Sequence, residues 1–428
     1  MKEAKKFSGW RMLFSIGIIY LLVMGFGQYG GSVTGPFILQ DIPMSRALYG
    51  FGFTLLNLFI GVNSAFLAAL LIKRLGIKKT VIFGAGMLIV VAVLMQIITQ
   101  PWQYLVTFGV LVPIVLACGT IIPYSTWVAR WFKAYRGRAM GYLMVIASFG
   151  GTLASPVLGA ILDTSAGNWR MAWLFIGSIG ILAIIGNLFI VKESPESVGQ
   201  IPDGKEITLA NGSDGKGPQL FTEHVWTAKE AYKTTSFWMI FVSGIAIFVP
   251  FFFFVSHYIL HLTSMGIDPS IGSMSMGVMT LGGVIGRLLS GFLTERIQAR
   301  YVLASGILPS IIGAFIALNA TSALPAFIGA ALFGMGFGWP YTAMLTTLAN
   351  FYGVKAYPQV MGTMMLLTAV VCSPAGMIGG IIFDIQNSYA LAFRSIWILG
   401  LVGVVFALFA RLPQHADAAV KQSQESVN

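Results

Sequence analysis

Long apolar stretches separated by shorter polar ones recur along the chain from Met12 to Leu408. Each holds about eighteen or more residues, enough for a helix to cross a hydrocarbon core of roughly 30 Å. The stretches lack the strict alternation of β-barrel strands, and a helix satisfies its own backbone hydrogen bonds in lipid. The pattern therefore predicts twelve spanning helices, centred near Leu22, Leu56, Ile89, Val115, Leu153, Ile181, Val249, Leu281, Ile311, Phe333, Ala369 and Val404.

Composition agrees with a lipid environment. Hydrophobic residues make up 57% of the 428 and charged residues 10%, with a mean hydropathy of +0.82. A chain this apolar does not stay soluble as a globule. The first apolar stretch exceeds the core of a signal peptide, so we expect it to be retained as a helix. Cys118 and Cys372 both lie inside predicted spans, which favours free thiols over a disulfide or metal framework.

The positive charges are distributed unevenly between alternate loops. Of 26 lysines and arginines, 22 fall on one predicted side, only Arg46, Arg170 and Arg394 fall on the other, and Arg287 alone lies within a span. The positive-inside bias assigns the charge-rich side to the cytoplasm. We therefore expect a multi-pass protein of a bacterial-type inner (plasma) membrane with both termini cytoplasmic. Because the net charge of +11 is explained by loop positions, we expect no nucleic-acid partner.

A polar stretch, 192–235, divides six predicted helices from six others that repeat their features. Asp163 ends a Gly-Ala-Ile-Leu-Asp sequence that recurs as Gly-Ile-Ile-Phe-Asp at Asp384, 221 residues later. The loop Leu71–Lys78 recurs as Leu293–Arg300 at an offset of 222. These offsets indicate an internal duplication. The predicted domains are an N-terminal six-helix bundle (1–191), a cytoplasmic linker (192–235), a C-terminal six-helix bundle (236–411) and a cytoplasmic tail (412–428).

Parallel six-helix repeats are the plan of one large transporter class, in which the solute binds between the halves. Over essentially its whole length the chain resembles the major facilitator superfamily, whose loop between helices two and three normally reads Gly-x-Leu-Ala-Asp-Arg-x-Gly-Arg-Lys. Ala69–Lys78 follows this pattern with Lys73 in place of the aspartate, and Gly291–Arg300 follows it a second time. The resemblance implies conformational roles for Arg74, Gly76, Glu295 and Arg296. The alternative is that these residues form ordinary basic turns.

Three segments resemble the oxalate/formate antiporter and monocarboxylate transporter families more narrowly. They are the stretch from Arg130-Trp131-Phe132 to Trp169-Arg170, the pair Gln28-Tyr29, and Arg287 placed four residues before Gly291. The resemblance implies a gating role for Arg130. It implies that Gln28, Tyr29 and Arg287 face the substrate. The oxalate carrier has a lysine in helix eleven for a second carboxylate, where this chain has Thr368. The resemblance therefore favours a substrate with one carboxylate.

Arg287 is the one charge predicted inside a span. On insertion scales, placing an arginine near the middle of the bilayer is unfavourable by about 2.5 to 3.5 kcal/mol of free energy. No Asp or Glu lies near the centre of any predicted span, so we expect water and an anionic solute to satisfy the guanidinium. Its planar fork suits a carboxylate held by two hydrogen bonds. The alternative is a structural arginine that bonds helix carbonyls across the halves.

Other polar side chains in the spans are weaker candidates for the same pocket. Tyr124, Tyr341, Thr368 and His257 could shape a small-acid site, although core packing is an open alternative for each tyrosine. His257 and His261 are one helical turn apart and could relay a proton. No third metal ligand and no nucleophile or acid–base pair accompanies them, so we expect neither metal nor cofactor and no enzymatic activity.

These observations predict an all-α integral membrane protein of twelve transmembrane helices in two pseudo-symmetric bundles. We expect a secondary active transporter that moves a small organic anion, in the first place a monocarboxylate, by alternating access, with proton symport as a further expectation. Anion exchange and efflux of another small solute remain alternatives. The expected partners are the carboxylate substrate, protons and the lipid bilayer, and we expect a monomer.

Overall fold

The computed structural model describes residues 7–132, 136–202, 222, 224–294 and 296–413, with the backbone alone at 136–138, 354, 355 and 358. Within these residues, twelve helices are long and apolar enough to cross a membrane, which confirms the predicted number. They are α1 (Gly9–Asp41), α2 (Arg46–Leu75), α3 (Ile77–Ile97), α4 (Pro101–Trp131), α5 (Ala139–Thr164), α6 (Trp169–Ile190), α7 (Thr235–Ser264), α8 (Pro269–Thr294), α9 (Ala299–Leu318), α10 (Ala323–Gly353), α11 (Gln359–Gln386) and α12 (Ala390–Phe409).

Polar residues mark where several of these helices begin. The hydroxyl of Ser45 accepts a hydrogen bond from the Leu48 amide before α2, and Thr234 does the same for the Phe237 amide before α7. The side chain of Asn168 accepts from the Arg170 amide at the start of α6. Each cap satisfies one of the amides that lack an intrahelical partner. Polar residues in short loops therefore define where these three apolar helices begin.

The spanning helices are interrupted at specific places. A π-helical stretch, Ser64–Ala68, lies within α2, and another, Leu105–Leu111, lies within α4. Helix α4 also breaks at Thr120, whose φ of −132° and ψ of −116° are not helical. Helix α10 runs almost directly into α11 through Gly353, where φ is 69°. Such interruptions redirect a helix without exposing a long loop to lipid.

Glycines on two faces of α10 permit very close packing, one face against α8 and the other against α9. A Cβ at Gly334 would lie 1.7 Å from the Met279 carbonyl oxygen of α8, and one at Gly336 would lie 2.1 Å from the Ser310 amide nitrogen of α9. Small residues let helix backbones approach where lipid provides no hydrophobic drive for association. These contacts hold the C-terminal half together as a unit.

The first six spans form one half of the bundle and the last six form the other. Cys118 in the N-terminal half and Cys372 in the C-terminal half are buried free thiols, as predicted. The predicted domain boundaries at 191 and 235 fall between α6 and α7, and as boundaries they stay a prediction. Because each half has an even number of spans, the start of α1, the end of α6, the start of α7 and the end of α12 lie at one end of the bundle, here called the terminal face. The other end is the opposite face.

The halves meet along two seams, α2 with α11 and α5 with α8. At the opposite face both seams are tight: a Cβ at Gly380 would lie 2.2 Å from the Arg46 carbonyl oxygen, and one at Gly159 would lie 2.8 Å from the Ser273 Cβ. Farther along α2, a Cβ at Gly61 would have only ordinary contact with α11, at 3.9 Å from the Ala369 Cβ. The described conformation is therefore closed at the opposite face.

Candidate functional site

Arg287 lies on α8 in the seam between the halves. One of its terminal nitrogens, Nη1, donates a short hydrogen bond to the hydroxyl of Ser148 on α5. One turn farther along α5, the hydroxyls of Thr152 and Thr280 are 2.8 Å apart across the same seam. The guanidinium is partly buried. The one charge predicted inside a span therefore touches both halves of the protein.

The partner of Arg287 is neutral. Between described residues, ion pairs join Arg130 to Glu193 and Arg170 to Asp41, His224 lies 3.7 Å from Glu230, and none of these pairs includes Arg287. A guanidinium has five N–H donors in a planar fork, so a single hydroxyl leaves most of them unused. The site can accept an anion that binds through two oxygens.

Three tyrosines lie near this charge. The phenol groups of Tyr20 and Tyr29 on α1 and of Tyr341 on α10 lie within electrostatic range of the guanidinium. The ring of Tyr29 also lies against Gly151 of α5, where a Cβ would come within 2.6 Å of it. The structure thus brings together two predicted residues, Tyr29 and Tyr341, with Arg287. The sequence analysis missed Tyr20 and Ser148, because neither stands in a recognisable motif.

An aromatic surface continues from Tyr341 along α10 and α7. Phe337 stacks on Tyr341 with ring centroids 5.8 Å apart, and Phe251 of α7 stacks on Phe337 at 3.8 Å. Phe248 meets Tyr341 edge-on at 5.8 Å. All four rings are partly exposed. We call Phe248, Phe251, Phe337 and Tyr341 the aromatic wall, which offers apolar contact beside the cationic group.

Other predicted site residues are placed elsewhere. Tyr124 is buried, and its hydroxyl donates to Asn187 of α6 at 3.0 Å. The Thr368 hydroxyl donates to the Met364 carbonyl at 2.9 Å, so this side chain bonds to the backbone of its own helix. Gln28 is buried within α1. Substrate roles for these three residues stay predictions.

His257 lies in the α2–α11 seam and not in the group around Arg287. Its Nε2 is 2.6 Å from the Gly376 carbonyl oxygen, and its Nδ1 is 3.1 Å from the Tyr389 hydroxyl. His261, one turn along α7, has its Nε2 3.2 Å from the Ala317 carbonyl oxygen within the C-terminal half. Among the described residues, no three His, Cys, Asp or Glu side chains are grouped to hold a metal ion.

At the terminal face, the predicted gating residue Arg130 meets a carboxylate that the sequence analysis missed. Glu193, just beyond α6, accepts hydrogen bonds from the amides of Ile77 and Lys78 at the start of α3, at 2.5 and 3.0 Å. Arg130 lies 3.4 Å from the same carboxylate. Glu193 thereby caps α3 and neutralises the partial positive charge of its N-terminus. No loop motif includes Glu193, so the sequence pattern did not single it out.

The remaining conformational candidates are exposed or lie outside the described residues. Arg74 is exposed, and the guanidinium of Arg296 lies 3.6 Å from the centre of the Phe292 ring. Glu295 lies outside the described residues. Conformational roles for all of these residues, and for Arg130, stay predictions.

Gly76 provides a test of this cap. Its φ of 84° and ψ of 173° suit glycine alone, and an added Cβ would lie 2.4 Å from the Glu193 Oε1. We expect Gly76→Ala to destabilise the protein by about 1 to 3 kcal/mol, measured as a lower melting temperature in detergent. Gly86→Ala on the same helix is the control, because a Cβ there meets nothing within 4 Å. Equal melting temperatures for the two variants would contradict the strained turn.

Comparison with known proteins places this architecture among transporters. A family model described as the Major Facilitator Superfamily matches residues 16–375 and 259–427. A protein from Ophiocordyceps sp. (strain BCC 1869), described as MFS-type transporter 1, is 26% identical over 375 residues, which cover 86% of this chain and 77% of that protein. Putative glycerol-3-phosphate transporter 5 of Arabidopsis thaliana is 22% identical over 342 residues, covering 72% of this chain and 68% of that protein.

Solved structures with the same fold are also transporters. The crystal structure of a D-xylose-proton symporter superposes with a TM-score of 0.68 at 16% identity, covering 94% of this chain and 97% of that one. A bacterial homolog of the human lysosomal transporter Spinster, in an inward-facing and occupied conformation, gives a TM-score of 0.63 at 17% identity and covers 95% of each chain. At these identities the likeness concerns the fold alone.

Proposed function

This chain belongs to the Major Facilitator Superfamily, and we propose that it is a secondary active transporter of a small organic anion, in the first place a monocarboxylate. The observation that carries the proposal is Arg287, a partly buried cation in the seam whose described partner is the hydroxyl of Ser148. A charge inside a span is unfavourable unless something offsets it. An anionic solute with a planar, two-oxygen group offsets it best.

The surroundings of Arg287 support one carboxylate joined to an apolar body. Tyr29 and Tyr341 bring hydroxyl groups that can donate to a carboxylate oxygen from α1 and α10, one in each half. The aromatic wall beside them offers apolar contact to the rest of the solute. A carboxylate held by Arg287 and these hydroxyls would link the two halves. Binding would thereby bias how the halves sit against each other, which alternating access requires.

An organic phosphate is the second candidate substrate. The Arabidopsis relative is described as a putative glycerol-3-phosphate transporter, and a guanidinium fork also matches phosphate oxygens. Exchange or efflux of such anions, in place of uptake, is the corresponding alternative mode. The uneven loop charges support an orientation with cytoplasmic termini in a bacterial-type inner membrane. We further propose that the transporter acts as a monomer, since each half contributes to the single site around Arg287.

Counterflow in proteoliposomes tests the proposed substrate class. We expect preloaded monocarboxylates with an apolar body to drive entry of the labelled acid, and dicarboxylates of equal length to drive it less, since the described site has one cation. Phosphate monoesters form the third arm and would identify the second candidate. A proton gradient, acid outside, should raise net accumulation if protons are co-transported. Counterflow of neutral or cationic solutes alone would contradict the anion-carrier proposal.

A further inference from the structure

A continuous chain of hydrogen bonds crosses the α2–α11 seam at the opposite face. The Nη1 of Arg46, at the start of α2, donates to the Tyr389 hydroxyl at 3.0 Å. Tyr389 meets the Nδ1 of His257 at 3.1 Å, and the Nε2 of His257 meets the Gly376 carbonyl at 2.6 Å. Asp384 of α11 accepts from the Arg46 and Ala47 amides at 3.1 and 2.9 Å, which caps α2 from the other half. We call these residues the seam network.

The partners of His257 define its protonation state in the closed seam. A carbonyl oxygen only accepts, so Nε2 must carry the hydrogen that binds Gly376. The neutral imidazole then accepts at Nδ1, where the Tyr389 hydroxyl donates while accepting from Arg46. Every donor and acceptor is matched for a neutral ring. The side chain of His257 is fully buried, so this arrangement leaves no room for water to compensate a change.

A proton added at Nδ1 would disrupt this arrangement. Two donors would then face the Tyr389 oxygen, and the new positive charge would lie beside the guanidinium of Arg46, which stacks 3.6 Å from the Phe383 ring centre. The nearby acidic group, Asp384, is already engaged by two backbone amides. The other titratable side chains facing the ring are Tyr49 from α2 and, one turn along α7, His261. Neither supplies a negative charge at neutral pH.

Among the described residues of α5 and α8, which form the other seam, there is no histidine. At the repeat offset of 222, the position equivalent to Arg46 is Asp268, and its carboxylate accepts from the Ser270 amide of its own helix at 2.8 Å. The contacts of that seam at the opposite face are between small or apolar residues, Gly159 with Ser273 and Pro156 with Gly277. We therefore expect the α2–α11 seam, and not the α5–α8 seam, to respond to protons near neutral pH.

From this geometry we infer that His257 is a proton-binding site which controls closure of the opposite face. The seam closes on a neutral imidazole, and separation of α2 from α11 hydrates the ring and lets it take a proton. Acidity therefore favours the state open at the opposite face. The inference rests on the proposed alternation between two states but not on the solute carried, and it extends that proposal by naming a site distinct from Arg287.

The test measures conformation without any solute, so its outcome is independent of the substrate assignment. Spin labels on cysteines introduced at Thr164 and Gln386, exposed residues of opposite halves at the opposite face, report their separation by pulsed dipolar spectroscopy. Cys118 and Cys372 are replaced by alanine. We expect the population with the longer distance between the labels to increase as pH falls from about 8 to about 5.5. Below about pH 6.5, the ratio of open to closed molecules should rise by up to about tenfold per pH unit.

Three variants distinguish proton binding by His257 from a purely structural role of the seam network. His257→Gln retains a donor for Gly376 but takes no proton, so its distances should not respond to pH. His261→Gln is the matched control and should respond like the wild type, because its ring meets Ala317 and Phe393 of its own half, whereas the ring of His257 lies against Tyr49 and Gly50 of α2. Tyr389→Phe removes the donor to the neutral ring and should move the response to higher pH. An unresponsive wild type, a responsive His257→Gln or an unshifted Tyr389→Phe would overturn the inference.

Discussion

Arg287→Gln is expected to abolish high-affinity uptake of the transported anion. The substitution removes the charge while Ser148 keeps its hydrogen bond to the Met144 carbonyl at 2.7 Å, so the seam loses little. A charge-assisted contact to a desolvated carboxylate contributes about 1.5 to 3 kcal/mol, so affinity should fall by about 10-fold to 150-fold. Arg287→Lys retains the charge without the planar fork, and we expect an intermediate loss. Uptake kinetics in proteoliposomes measure both effects.

Arg394→Gln is the control for this experiment, because Arg394 is an exposed arginine at the opposite-face end of α12. Its uptake should match the wild type. The amount of folded Arg287→Gln should also be unchanged, since removing a buried cation relieves a desolvation penalty. Wild-type affinity and rate in Arg287→Gln would show that the arginine is structural, and would refute the proposed anion site.

Gly50→Ala should prevent the opposite face from closing. An added Cβ would lie 2.2 Å from the Gly376 carbonyl oxygen and 2.9 Å from the His257 Nε2, both in the other half. Overpacking of this kind costs about 1 to 3 kcal/mol, which reduces the closed population by about 5-fold to 150-fold. Because the nearest clashes lie across the seam, each half should still fold. We expect transport to fall accordingly, with a normal elution profile in detergent.

Gly61→Ala on the same helix is the matched control, since a Cβ there would approach α11 no closer than the 3.9 Å to Ala369. We expect it to transport at close to the wild-type rate. The spin-label pair at Thr164 and Gln386 should report the longer distance for Gly50→Ala at every pH. Full transport activity in Gly50→Ala would mean that the tight contact at Gly50 is not part of the cycle.

The number and type of the helices could be predicted from sequence because hydropathy over a full span is a strong signal. The position of Arg287 followed from the same rule, since a charge within an apolar run is conspicuous. The residues around Arg287 could not be predicted from this rule. Ser148 lies 139 residues away along the chain and is one of many serines, so only packing of α5 against α8 identifies it as the partner.

His257 shows the other limit of sequence analysis. Helical periodicity placed His257 and His261 on one face, which is a local property of α7. Periodicity could not show that the His257 ring lies in the seam and the His261 ring inside the C-terminal half, since this depends on distant residues, Gly50 of α2 for His257 and Ala317 for His261. Glu193 was missed for the same reason, because its role as a cap depends on how the chain returns to α3 after α6.

The two buried cysteines make the chain its own reporter of unfolding. A thiol must reach water and ionise before it reacts with an alkylating reagent, and Cys118 and Cys372 are both fully buried. Alkylation during slow heating would therefore follow exposure of the interior without any added label. Since one cysteine lies in α4 and the other in α11, mass spectrometry of the modified peptides would show which half of the duplicated bundle melts first.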